Sequence, residues 1–102
     1  MARLTYRPRF IADLDDLYGY YARYSEERAT DLIVRLEEVV FLIADNPEMG
    51  TRAEEIAPGL RRFVIDKKYL FFYLLQVNEI EAVRMVRAER NDVAGLVAEG
   101  LK

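Results

Sequence analysis

The side chains in this chain that could move a proton or hold a phosphate are few, and histidine is not among them. Cleavage of RNA through its 2′-hydroxyl needs a base, an acid and a charge stabiliser, and histidine is the usual proton carrier. Here the base would have to be Glu54 or Glu55, the acid Tyr69, and the phosphate contacts Arg61 and Arg84. Adjacent glutamates in a loop are ordinarily solvated, and Tyr69 opens an apolar run where packing is the simpler role. No catalytic residue is assigned on this ground. With histidine and cysteine both absent, a metal could find only oxygen ligands, and Asp13, Asp15 and Asp16 lack the glycine and spacing of a calcium loop. No glycine-rich phosphate loop or nucleophile elbow is present. Neither metal nor cofactor is expected.

The basic residues and the tyrosines suit binding better. Arg61, Arg62, Lys67 and Lys68 fall on or between two late strands, and Arg84, Arg87 and Arg90 on or after the last one. Alternation from Ile80 puts Arg84 on one face with Ile80, Ala82 and Val86, toward the core or a groove rim. An unpaired cation there is costly, so Arg84 needs an acidic partner, internal or on another protein. Arg61, Arg84, Arg87 and Arg90 are the candidates for contact with a target. Five of the seven tyrosines lie at Tyr6, Tyr18, Tyr20, Tyr21 and Tyr24. Tyr18 and Tyr21 share the inner stripe of a helix. Tyr20 and Tyr24 lie off it, four apart, and form an exposed aromatic pair. With Phe41 and Leu42 they are the candidates for docking a partner polypeptide.

The elements that position these residues follow from periodicity. Residues 3–7 alternate as a short strand, and Pro8 suits the first turn of a helix. From Phe10 the apolar spacing becomes helical through Leu14, Leu17, Tyr18 and Tyr21. Ser25 is a natural N-cap, with Glu26 and Glu27 complementing the dipole of a second helix. Its core stripe is Ala29, Leu32, Ile33, Leu36, Val39, Val40 and Ile43, and Asn46-Pro47 ends it. The connection is short, so the two helices form an antiparallel hairpin. Residues 46–59 read as a loop. Strands follow at Leu60–Ile65, Tyr69–Leu75 and Ile80–Arg87, the second too continuously apolar for an edge. Asp92 can cap a last helix through Leu101. The fold class expected is α+β: β-α-α-β-β-β, a helical hairpin packed on an antiparallel sheet, plus a short C-terminal helix.

The chain is 102 residues long, 52% apolar and 32% charged, the size and composition of one folded domain over 1–102. The start lacks the apolar core of a signal peptide, and the longest apolar run, residues 69–75, is far short of a membrane span. With no cysteine, a cytoplasmic location without membrane contact is expected. Net charge is −3, with residues 1–51 at −4 and residues 52–90 at +2. An acidic balance argues against sequence-specific nucleic-acid binding, where phosphate neutralisation supplies most affinity.

Five segments, in this order and spacing, are similar to the ParE branch of the ParE/RelE toxins. They are Arg9-Phe10-Ile11-Ala12-Asp13-Leu14; Asn46-Pro47-Glu48-Met49-Gly50; Gly59-Leu60-Arg61-Arg62-Phe63-Val64; Tyr69-Leu70-Phe71-Phe72-Tyr73; and Ile80 through Val86. The resemblance covers nearly the whole chain. It implies the toxin of a type II toxin–antitoxin pair, inhibiting DNA gyrase by binding and neutralised by a cognate ParD-like antitoxin. RelE-like relatives instead cut messenger RNA on the ribosome, and that is the alternative. Two departures count against it: Arg87 stands where a histidine is usual, and Leu70 where many relatives place arginine. A third option is a binding module that has lost toxicity and competes for antitoxin.

Overall fold

Pro8 fixes the first turn of α1 (Pro8–Ala22), directly after strand β1 (Arg3–Tyr6), in a computed structural model that describes residues 2–102. Arg23–Ser25 link α1 to α2 (Glu26–Asp45). The Ser25 hydroxyl accepts the Arg28 N–H at 3.2 Å, while Glu26 and Glu27 fill the first turn. At the other end the Asn46 side chain donates to the Leu42 carbonyl at 3.1 Å, sharing that acceptor with the Asn46 backbone N–H at 3.0 Å.

The remaining elements are β2 (Thr51–Arg52), β3 (Leu60–Ile65), β4 (Tyr69–Gln76), β5 (Glu79–Arg87) and α3 (Val93–Gly100). β2 was not expected: two exposed residues inside a loop give no alternation to read. The sheet order is β1-β5-β4-β3-β2, so apolar β4 is central, as its composition predicts. β3, β4 and β5 form the antiparallel meander, but β1 pairs parallel with β5, making the five-stranded sheet mixed. Asp66 and Lys67 both have positive φ, and Lys68 N–H reaches the Ile65 carbonyl at 3.0 Å, a tight turn within the three-residue loop that joins β3 to β4.

Two apolar layers sandwich the sheet. On one face α1 and α2 bury Phe10, Leu36, Val40 and Ile43 against Phe71, Tyr73, Ile80 and Met85. On the other, Leu60, Phe72, Val83 and Val86 are covered by Val97 of α3 and by Ala53. β5 contributes to both layers out of simple alternation. The β4–β5 register shifts between Phe72 and Tyr73: Tyr73 pairs with Ala82 and Phe72 with Arg84, leaving Val83 as an extra residue. This bulge corrects the expected alternation. Ile80 and Ala82 lie in the hairpin layer, whereas Arg84 and Val86 belong to the α3 face.

Candidate functional site

The bulge decides what Arg84 does. β1 ends at Tyr6, so β5 beyond Ala82 would have an unpaired edge, and Asp13 of α1 fills it. Its Oδ2 accepts the Met85 N–H at 2.9 Å and Arg84 Nε at 2.7 Å, and its Oδ1 accepts Arg84 Nη2 at 2.7 Å. Arg84 Nη1 donates to the Leu96 carbonyl at 2.7 Å. Arg84 is 6% exposed and Asp13 8%. The hydrogen bonds to Asp13 hold the guanidinium further above its ordinary range, so it stays charged. The acidic partner that Arg84 required is therefore internal. As a candidate target contact it is corrected to a buried tie joining α1, β5 and α3. Gly100 packs on its stem, where an added Cβ would come 2.7 Å from Arg84 Cδ.

Arg61 is also engaged within the chain. Its Nη1 donates to the Gly50 and Glu48 carbonyls at 2.6 and 3.2 Å. Beside it the Tyr73 hydroxyl donates to the Pro47 carbonyl at 2.8 Å and accepts the Gly50 N–H at 2.9 Å. Arg61 and Tyr73 thereby fix the Asn46–Gly50 segment to the sheet. Arg90 makes a two-point pair with Asp92 at 3.1 and 3.0 Å on the surface. Asp92 thus spends its carboxylate on Arg90 and makes no side-chain cap to α3, contrary to expectation.

The side chains considered for RNA cleavage do not converge. Arg61 and Tyr69 pair with residues of the hairpin layer, Arg84 with one of the opposite layer. The Tyr69 hydroxyl is 3.0 Å from that of Tyr21, and burial with this bond pushes its pKa well above the usual phenol range. Glu54 accepts the Gly59 N–H at 3.2 Å, and Glu55 lies 3.8 Å from Arg62.

The open surface lies on the hairpin. Between α1 and α2 runs a groove of about 460 Å³, lined by Ile11, Leu14 and Tyr18 from α1, Ile33 and Val34 from α2, and Tyr6 from β1. Ile11 and Val34 are each 49% exposed, large for aliphatic side chains in one contiguous patch. Asp15 and Glu37 also line it. Burial and the Glu37 charge together raise the Tyr6 pKa. Tyr18, expected in the core, is a groove residue instead. The signal was available: Ile11, Leu14 and Tyr18 are spaced three and four apart, a second stripe beside the core one. Phe41 and Leu42 are exposed, as expected, but do not line the groove.

Tyr20, on another flank of α1, and Tyr24, in the linker after it, meet edge to face, ring centroids 6.1 Å apart. The Arg23 guanidinium carbon is 5.0 Å from the Tyr20 ring centre and 5.6 Å from that of Tyr24. Arg87 reaches in from β5 to 4.5 Å of the Tyr20 ring. Candidates from both expected sets, Tyr20 and Arg87, thus share one cluster, and Arg23 joins it.

Residues 4–92 match the family model described as ParE toxin of type II toxin-antitoxin system, parDE. A Toxin ParE1 of Caulobacter vibrioides is 33% identical over 95 residues, covering 92% of this chain and 95% of that one. A Toxin ParE1 of Mycobacterium tuberculosis is 27% identical over 93 residues, covering 90% of this chain and 94% of that one. Among solved structures, one described as the chromosomal ParDE TA system from P. aeruginosa superposes with a TM-score of 0.74 at 25% identity. It covers 87% of this chain and 98% of the other.

Proposed function

The chain belongs to the ParE toxin family of type II toxin–antitoxin systems, and from that premise we propose that it inhibits DNA gyrase by binding and is silenced by a ParD-like antitoxin seated in the hairpin groove. The observation that carries the antitoxin half is the apolar channel between α1 and α2. An amphipathic helix laid along it would bury Ile11, Leu14, Tyr18 and Val34, at roughly 25 cal/mol per Å² of apolar surface removed from water. Asp15 and Glu37 favour a partner whose apolar stripe is flanked by lysine or arginine.

Action by binding is supported by where the candidate proton-transfer and phosphate groups are spent. Arg84 is neutralised by Asp13, Arg61 holds a loop, and Tyr69 is bonded to Tyr21 on the other side of the sheet from Arg84. Arg90, exposed after the end of β5, and Arg87, half-buried at that end, are the residues assigned to the target, so an antitoxin that covers Arg87 also blocks the target.

Expression of the chain alone, with and without the neighbouring reading frame, tests the whole reading in the cytoplasm where it would act. Growth should stop with the chain alone and recover with its neighbour, and the purified chain should block supercoiling by gyrase. Arrested translation with messages cut at the ribosomal A-site would instead indicate a ribonuclease. Unaffected growth together with antitoxin binding would leave only a decoy.

A further inference from the structure

We infer that the Tyr20–Arg23–Tyr24–Arg87 cluster is a carboxylate clamp that takes an acidic segment of the antitoxin, outside the apolar groove; this rests on the toxin–antitoxin reading above. Five arginines each have a hydrogen-bonded carboxylate: Arg84 with Asp13, Arg90 with Asp92, Arg35 with Asp66, Arg7 with Glu81 and Arg9 with Glu99. Arg23 and Arg87 belong to the remainder, which have none within the described residues. Among the described residues Arg23 makes a single hydrogen bond, from Nε to its neighbour's carbonyl at Tyr20, at 3.4 Å. Arg87 has only a 3.8 Å contact to the exposed Glu89.

Stacking explains how two such cations are held. A guanidinium over a tyrosine face is positioned by the ring quadrupole while its N–H edge points outward. Tyr20 orients both Arg23 and Arg87 in this way, and Tyr24, 75% exposed, extends the platform. Each guanidinium carries about five N–H donors in a planar fork that matches a carboxylate. Nearly all of them here are unused. Two like charges brought to one ring gain little for the isolated chain and become favourable once an anion arrives.

A polypeptide carboxylate fits better than a nucleic-acid backbone, because residues 1–51, which supply Tyr20, Arg23 and Tyr24, carry a net −4 that opposes a polyanion. The antitoxin is the source because the cluster and the groove share α1. Leu14, in the groove, and Tyr20 are six residues apart, about 9 Å along the helix axis. Three or four extended residues span that distance at about 3.3 Å each. The antitoxin is thus expected to carry an apolar segment flanked by basic residues for the groove, continuous with one or two Asp or Glu for the clamp.

The test uses the purified full chain and the product of the neighbouring reading frame. R23Q and R87Q should each weaken that complex on the order of tenfold at low salt, with the double variant losing much of the wild type's salt dependence, and R87K recovering only part. Replacing the antitoxin's clamp acid by lysine should be compensated by R87E. Circular dichroism checks that the exposed substitutions leave the fold intact. In an arm without antitoxin, a fluorescein-labelled hexaglutamate peptide should bind the wild type and not R23Q/R87Q. Unchanged antitoxin affinity and salt slope in R23Q/R87Q would overturn the proposal, even if hexaglutamate still discriminates, and would leave the groove reading standing. Loss of gyrase inhibition with antitoxin affinity intact would overturn it too, assigning the cluster to the target. If the wild type binds no neighbouring product, it is the toxin–antitoxin reading that fails.

Discussion

Replacing Asp13 by alanine strips one carboxylate from three donors at once: two nitrogens of Arg84 and the Met85 backbone N–H. Arg84 would remain buried with only the Leu96 carbonyl at hydrogen-bonding distance and Glu99 at 4.0 Å. Removing one partner of a buried ion pair costs about 3–5 kcal/mol, because the other charge is left uncompensated. The stranded Met85 N–H falls within the same penalty, since an unmet buried donor alone costs about 1–3 kcal/mol. A domain of this size has a total stability of about 5–15 kcal/mol, so D13A should remove roughly a fifth of it or more. At about 4–8 °C per kcal/mol the melting temperature should fall by at least ~12 °C. Urea unfolding followed by circular dichroism gives the free energy, with an unchanged m-value confirming that the two-state comparison holds. D13N keeps one acceptor and should lose about half as much. The D13L/R84M double variant removes both charges and should be more stable than the sum of its single variants by at least ~2 kcal/mol. Additive single effects, or D13A within 1 kcal/mol of wild type (about the spread of an ordinary substitution), would refute the argument that this pair ties α1, β5 and α3 together.

Other outcomes follow from the same geometry. G50A should destabilise by about 1–3 kcal/mol by overpacking, since its Cβ would lie 2.6 Å from the Tyr73 hydroxyl oxygen. Y73F should relieve this only partly because a ring carbon is 2.9 Å away; chemical denaturation of the two single variants and the double checks both points. Ile11→Glu or Val34→Glu should leave stability within about 0.5 kcal/mol yet weaken antitoxin binding roughly hundredfold, as loss of a central apolar anchor does, read by titration calorimetry. At alkaline pH, Tyr69 has a folded pKa raised above the unfolded value of 10.0. Its contribution is whole below that value and is lost as pH rises through the folded pKa, so Y69F should flatten the fall in stability above pH 10. At acid pH the sign reverses: Arg35 lowers the Asp66 pKa below 3.8. The Asp66 contribution is present above 3.8 and lost as pH falls, so D66N should show a shallower decline in urea midpoint between about pH 5 and 2.

The sequence by itself determined whatever depends on local periodicity and turn chemistry. The two helices, the Ser25 cap, the stop at Asn46-Pro47, the central place of β4 and the late meander all follow from spacings within one element. So does the likeness to ParE toxins, which rests on the order of short segments along the chain. Only the tertiary structure decided matters of register between distant segments. One extra residue at Val83 moved Arg84 to the opposite face from Ile80, and a bulge is set by how β5 meets β4 rather than by any pattern in β5. Asp13 reads as one of three surface acids, and becomes buried because β1 stops at Tyr6 and leaves the Met85 N–H without a strand to answer it. Tyr20 and Arg87 lie 67 positions apart in the chain and meet only because α1 crosses the end of β5. Local pattern specifies elements, since each is stabilised largely by its own backbone bonds and one apolar face. The charged and aromatic sites form between elements, where a displacement of one residue changes which partner a side chain finds.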